Sequence, residues 1–358
     1  MTVETGILFT PPEPATMAVL AEASEEAGFS LLGLGDSQSL FREAYVSLTV
    51  AGLATSRIRL MPAVSNIVTR HLAVTASAIA SLDEATNGRA ILGLGTGDSS
   101  VLNVSTHPVS LADFERAVAA VQGLLRGETV DYLGRSAHVR WCQRQVPIFI
   151  SAEGPRTLRL AGHIADGVIV GTGLLPEVIA SSLASIEQGA SEAGRDPSEI
   201  EVWFFAKANI ADSAADAVAE IRMALAASAN HSFRFTTDGK DLPEQFKPAV
   251  AELKKEYAFR EHEDTGGSHN ADLVDRLGLT SYLAERFAVT GSPVQVAQRV
   301  RELESAGVRR LLLAGITRDP LQFVRRWESE VVPLVRAGVG VTGVQIGPEI
   351  HNEIRTGL

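Results

Sequence analysis

The sequence predicts an α/β fold: a (β/α)8 TIM barrel with an insertion between its seventh and eighth strands. Short apolar runs suited to buried parallel strands alternate with segments of helical period along most of the chain. Gly28, Gly88 and Gly194 fall where three of those helices should stop. A length of 358 residues suits one large barrel that carries extra chain.

Strands are expected near Thr5–Phe9, Leu31–Gly35, Ile58–Val64, Ala90–Leu94, Pro147–Ser151, Gly167–Val170, Glu201–Ala206 and Arg309–Ala314, each a run rich in Val, Ile, Leu or Phe. Between them, helical spacing is found at Pro14–Ala27, Arg42–Thr55, His71–Thr86, Leu111–Arg126, Arg156–Ile164, Pro176–Ala193, Ala214–Ala229 and Leu321–Val335. Thr129–Trp141 alternates around Gly134 and reads as a hairpin placed before the fifth strand. Residues from about 230 to 290 break the repeat: they are polar and contain His231, His262, His269 and Gly266-Gly267. Such an insertion belongs to the catalytic end of a barrel, and we expect it to form a lid. Residues 1–338 are thus read as a single domain and 339–358 as a tail.

Composition narrows the function classes. The chain is 45% hydrophobic and 21% charged, has no apolar run approaching a membrane span, and enters its first strand without a signal-peptide pattern. Cys142 is the single cysteine, which excludes an internal disulfide and a metal site built on cysteines. These features lead us to expect a cytoplasmic protein. A net charge of −11 with scattered Lys and Arg argues against nucleic-acid or membrane partners. The eight histidines lack metal-ligand spacing, so no metal is expected. The expected partners are a small-molecule substrate and further copies of the chain, as a dimer or tetramer.

Candidate site residues lie at the carboxyl ends of the strands, where α/β barrels bind ligands. Ala63, Val64, Ser65 and Asn66 end the third strand, and Thr96, Gly97 and Asp98 follow the fourth. Glu153-Gly154-Pro155 opens a helix with proline in its first turn, which leaves backbone N–H groups free, and Gly171-Thr172 forms a similar loop. Paired loops of this kind suit a phosphate. Asp98, Asp36 and His107 are the candidates for catalytic roles. Asp98 could instead cap the next turn, and Asp36 could instead pair with Arg42 or Arg70. Gly97 suggests a backbone that approaches a ligand closely.

The stretch TASAIASLDEATNGRAILGLGTGD resembles the bacterial luciferase-like superfamily of flavin- and deazaflavin-dependent oxidoreductases. GILFTPPEP near the start, EGPRTLRLAGHIADGVIVG at Glu153–Gly171 and TGSPVQVAQRVRELESAGVRRLLL at Thr290–Leu313 extend the resemblance, which is strongest over the first 210 residues or so. It implies a cis peptide at Ala63–Val64 pressed against a flavin-type ring, with Thr96 and Asp98 near the ring edge. Two activities are implied. One is a monooxygenase using reduced FMN from a separate flavin reductase, a reading the long insertion favours because it could shield a reactive intermediate. The alternative is hydride transfer with coenzyme F420. The core motifs are most similar to methylenetetrahydromethanopterin reductases, from which the chain departs by carrying Leu8 in place of an acidic residue. The FMN monooxygenase is the first expectation and the F420 enzyme the second. A non-catalytic flavin-binding barrel is the reading from another class.

Overall fold

The computed structural model describes residues 3–261 and 268–337. Its strands are β1 (Glu4–Phe9), β2 (Leu31–Leu34), β3 (Arg59–Pro62), β4 (Ser65–Asn66), β5 (Leu92–Gly95), β6 (Val130–Tyr132), β7 (Arg135–Ala137), β8 (Ile148–Ala152), β9 (Gly167–Val170), β10 (Glu201–Ile210), β11 (Ala288–Gly291) and β12 (Arg310–Gly315). In the main sheet β3, β2, β1, β12, β10, β9, β8 and β5 follow one another, all parallel. Closure comes from a bridge between Leu60 of β3 and Ala90, and from pairing of Ser65 and Asn66 with Leu94 and Gly95. The result is the predicted (β/α)8 barrel. Strands β2, β5 and β9 are buried at every residue, as expected for parallel strands covered on both faces.

The expected third strand is divided. It stops at Pro62, passes through a cis Ala63–Val64 bond and resumes as β4, so the peptide implied by the resemblance is present. The neighbouring strand makes room for this turn, since a Cβ on Gly93 would lie 2.2 Å from the Pro62 carbonyl oxygen. The hairpin expected around Gly134 is formed by β6 and β7, with Leu133 and Gly134 both at positive φ.

Leu31, Met61, Ile91, Phe149, Ile169, Trp203 and Leu312 fill the barrel's interior, and Leu8, Ala63, Val64 and Phe205 pack against them. The amino end is closed by ion pairs: Arg59 to Glu201 at 2.9 Å and Arg310 to Glu4 at 2.9 Å, with the Arg59 guanidinium 5.7 Å from the centre of the Trp203 ring. The carboxyl end stays open.

The insertion differs from the sequence expectation. Helix Ala214–Phe233 belongs to it rather than to the barrel repeat, because its last turn reaches loops beyond β5 and β8. The chain returns through β11, which pairs with the far end of β10, and helix Pro293–Ser305 then leads to β12. Although the segment reads as polar, it has its own apolar core, which includes Leu225, Phe233, Val250, Leu253, Leu273, Leu283 and Phe287. The sequence reading missed it because Leu225 was counted with the barrel repeat, and Val250, Leu253, Leu273, Leu283 and Phe287 are spread over three helices of 8 to 10 residues, each too brief to show a clear period. His262, Gly266-Gly267 and the expected tail 339–358 lie outside the described residues.

Candidate functional site

A cleft of about 1200 Å³ opens at the carboxyl ends of the strands. That exceeds the range of about 300–1,000 Å³ usual for one drug-sized ligand and suits a cofactor with a second molecule beside it. Its floor is the top of the barrel interior: Leu8, Ala63, Val64, Ile169, Phe205 and Leu312.

Most of the expected residues meet here. Ala63, Val64, Thr96, Gly97, Asp98, Glu153, Gly154, Pro155 and Gly171 line the cleft, as do Asp36 and the exposed His107. Ser65, Asn66 and Thr172 do not. Ser65 donates its hydroxyl to Asp36 at 2.6 Å, and the Asn66 amide nitrogen donates to Thr69 and Ser100, both at 3.0 Å, so these side chains brace the loops from behind. Thr172 bonds to Ser182 at 2.9 Å, and its carbonyl accepts from Arg286. The loop after β9 is therefore held by the insertion.

Asp36 is largely consumed by structure. Arg70 binds both of its oxygens, one at 3.1 Å, and Ser65 donates to one of them, whereas Arg42 pairs instead with Glu13. Gly97 lies between loop and helix at φ +113, and a Cβ there would come within 2.9 Å of the Val101 side chain. Its lack of a side chain is thus required by the protein's own packing, a different reason from the close ligand approach expected.

The capping role considered for Asp98 is not seen: its side chain makes no cap bond to the short helix Ser99–Leu102. It pairs with His231 Nδ1 and with Arg234, both on the insertion. The other imidazole nitrogen, Nε2, lies 2.9 Å from Glu153 Oε1. Burial raises the cost of a charged Asp98, but His231 and Arg234 outweigh it and hold the carboxyl well below its ordinary range. Burial likewise opposes an imidazolium, yet Glu153 and Asp98 together push His231 up to about 10. The Glu153 carboxylate fills the space before Gly171, where a Cβ would stand 2.4 Å from Oε1. Its Oε2 is buried with no partner among the described residues. An anion is left the helix start at Pro155, with Arg156 and Thr157, rather than the Gly171 side.

Sequence reasoning missed the rest of this wall. Lys207 comes from β10, and Arg234, Phe235 and Lys240 come from the insertion. Lys240 is 7% exposed, its amine donates to the Ser232 carbonyl, and burial lowers its pKa, with Glu153 opposing the shift. The one available signal was His231 with Arg234 one turn later, at a helix end inside a segment already assigned to the catalytic face.

Comparison with known proteins agrees with this architecture. The family model described as luciferase-like monooxygenase matches residues 2–310. A 5,10-methylenetetrahydromethanopterin reductase of Methanolobus tindarius is 31% identical over 320 residues, covering 86% of this chain and 92% of that protein. An F420-dependent glucose-6-phosphate dehydrogenase of Nakamurella multipartita is 27% identical, covering 91% and 94%. The structure of the coenzyme F420-dependent tetrahydromethanopterin reductase of Methanopyrus kandleri superposes with a TM-score of 0.71 at 26% identity, covering 93% of this chain and 99% of that one. A (β/α)8 barrel with a ligand cleft at the strand ends, and a family match over most of its length, make this chain a member of the luciferase-like family of oxidoreductases.

Proposed function

We propose that the protein is a coenzyme F420-dependent oxidoreductase that passes a hydride to or from a small organic substrate without using oxygen. The supporting observation is its likeness, over nearly its whole length, to reductases and dehydrogenases whose names specify coenzyme F420. This reverses the order expected from sequence, in which the FMN monooxygenase stood first and a separate flavin reductase was a possible partner.

The cleft suits such a group. An apolar floor at Ala63, Val64 and Ile169 fits a flat ring, polar groups at Thr96 and Asp98 stand at one edge, and the start of helix Pro155–Ile164 offers free N–H groups to a phosphate. When bound, the deazaflavin supplies a ring carbon that accepts or gives the hydride. The chain's own residues do the rest. The floor and the insertion wall keep water from the ring face. Asp98, held ionised by His231 and Arg234, acts as a hydrogen-bond acceptor rather than an acid. His231 keeps a proton on each ring nitrogen, facing Asp98 and Glu153. Leu8 lines the floor and β1 brings no carboxylate to the cleft, so the pterin named for the relatives is not carried over as the substrate.

The test is anaerobic turnover. The purified protein with oxidised F420 and a panel of alcohols, aldehyde hydrates and sugar phosphates should bleach the deazaflavin absorbance with at least one class. Oxygen-dependent product formation with reduced FMN, and no bleaching of F420, would return the monooxygenase to first place. Binding without turnover in either assay would favour the non-catalytic barrel.

A further inference from the structure

Asp98 follows β5 and Glu153 follows β8, and those strands are neighbours in the sheet. Two carboxylates brought together at the rim of a cleft repel unless a cation stands between them. His231 takes that place, with Nδ1 on Asp98 and Nε2 on Glu153. A neutral imidazole carries only one N–H, so donating to two carboxylates at once requires both nitrogens to be protonated.

Among the described residues, the hydrogen-bond partners of the Asp98 side chain both come from the insertion: His231 and Arg234. Among the described residues Glu153 has His231 as its one ion-pair partner, with Lys240 a further cation acting on it. The Asp98 and Glu153 side chains are thus tied by the insertion, while the barrel side braces the chain just beyond Asp98 through Ser99 to Ser37 at 3.1 Å and Asn66 to Ser100 at 3.0 Å. Arg286 ties the insertion elsewhere, to the carbonyl of Thr172 beyond β9. His231 is therefore the contact that reaches the cleft-lining loops from both sides.

We propose that His231 is a positioning residue, a cationic latch that joins the insertion to the loops at Thr96–Asp98 and Glu153–Pro155 and holds them at the spacing the cofactor needs. Only the last clause rests on the F420 reading; the latch itself does not.

Three measurements separate the two. In the unliganded wild-type protein at about pH 8, nitrogen-15 spectra should show the His231 ring with both N–H protons, well above the pH where a free imidazole loses one; a neutral ring would overturn the latch. In His231→Gln, amide hydrogen exchange at Thr96–Ser99 and Gly154–Thr157 should quicken at least tenfold while helix Leu72–Ala85 is unchanged; unchanged loops would also overturn it. Glu153→Gln breaks the same bridge from the barrel side and should loosen the same loops, which keeps the idea testable if His231→Gln does not fold. Finally, the F420 dissociation constant should rise at least tenfold in His231→Gln. Looser loops with undiminished F420 binding would remove the positioning role, whereas looser loops in a protein that never binds F420 would sustain the latch and sink the cofactor assignment.

Discussion

The two walls of the cleft are built by different means. On the β3–β5 side, Ala63, Val64, Thr96 and Gly97 are placed by backbone packing: Gly93 leaves room for the Pro62 carbonyl, and Gly97 for Val101. On the β8–β10 side, Glu153, His231 and Arg234 are placed by charge, through contacts between segments far apart in the chain; His231 and Asp98 are separated by 133 residues. A wall made of backbone fails when a side chain is added. A wall made of ion pairs fails when a charge is removed, and its strength varies with pH.

Four changes probe this contrast, from the largest expected effect to the smallest. Gly93→Val should be the most damaging, because even its first added carbon meets the Pro62 carbonyl at 2.2 Å; a loss of ~4 kcal/mol or more, or no folded protein, is expected in urea melts. A stable Gly93→Val would show that the β3 kink is softer than its packing implies. Arg286→Met comes next. Arg286 is fully buried and donates to the carbonyls of Thr172, Lys240 and Asp241 and to the Tyr282 hydroxyl. Leaving those acceptors unpaired should cost about 3 kcal/mol and loosen the insertion before the barrel, read by hydrogen exchange.

Gly97→Ala should cost ~2 kcal/mol by melting, from its positive φ and its contact with Val101, and this loss should appear without any ligand. A loss seen only with cofactor present would restore the ligand-approach reading for that glycine.

The smallest effect is a pH dependence, because the His231 side chain is 36% exposed and solvent screens its ion pairs. His231 has a raised folded-state pKa, so its stabilisation is fully present below the ordinary imidazole value of about 6.5 and fades as pH rises toward about 10. Asp98 has a lowered one, so its contribution is present at neutral pH and fades on acidification below about 4. The charges facing this pair are Glu153, Arg234 and Lys240. The melting-temperature gap between wild type and His231→Gln should therefore shrink between about pH 6.5 and 10. A gap that stays constant over that range would contradict an ion-paired wall.

The same contrast explains what could be read from sequence. The barrel strands, the Gly134 hairpin and the loops at Ala63–Val64 and Thr96–Asp98 were legible because local apolar runs and glycine stops determine them. Ser65, Asn66 and Thr172 were misplaced because a polar residue at a strand end can face either the cleft or the loop behind it, and only their partners Asp36, Ser100 and Ser182 decide which. The insertion wall was the least legible. Its helix Ala214–Phe233 looks like any barrel helix until its last turn meets Asp98 and Glu153, and no local pattern announces a contact made across the barrel mouth.

The central claim is a cofactor, and equilibrium titration tests it most directly. Purified protein should be titrated anaerobically with F420, FMN and reduced FMN, following fluorescence or heat. F420 should bind at micromolar affinity or tighter, and both FMN forms at least tenfold more weakly. Reduced FMN binding more tightly than F420 would contradict the claim.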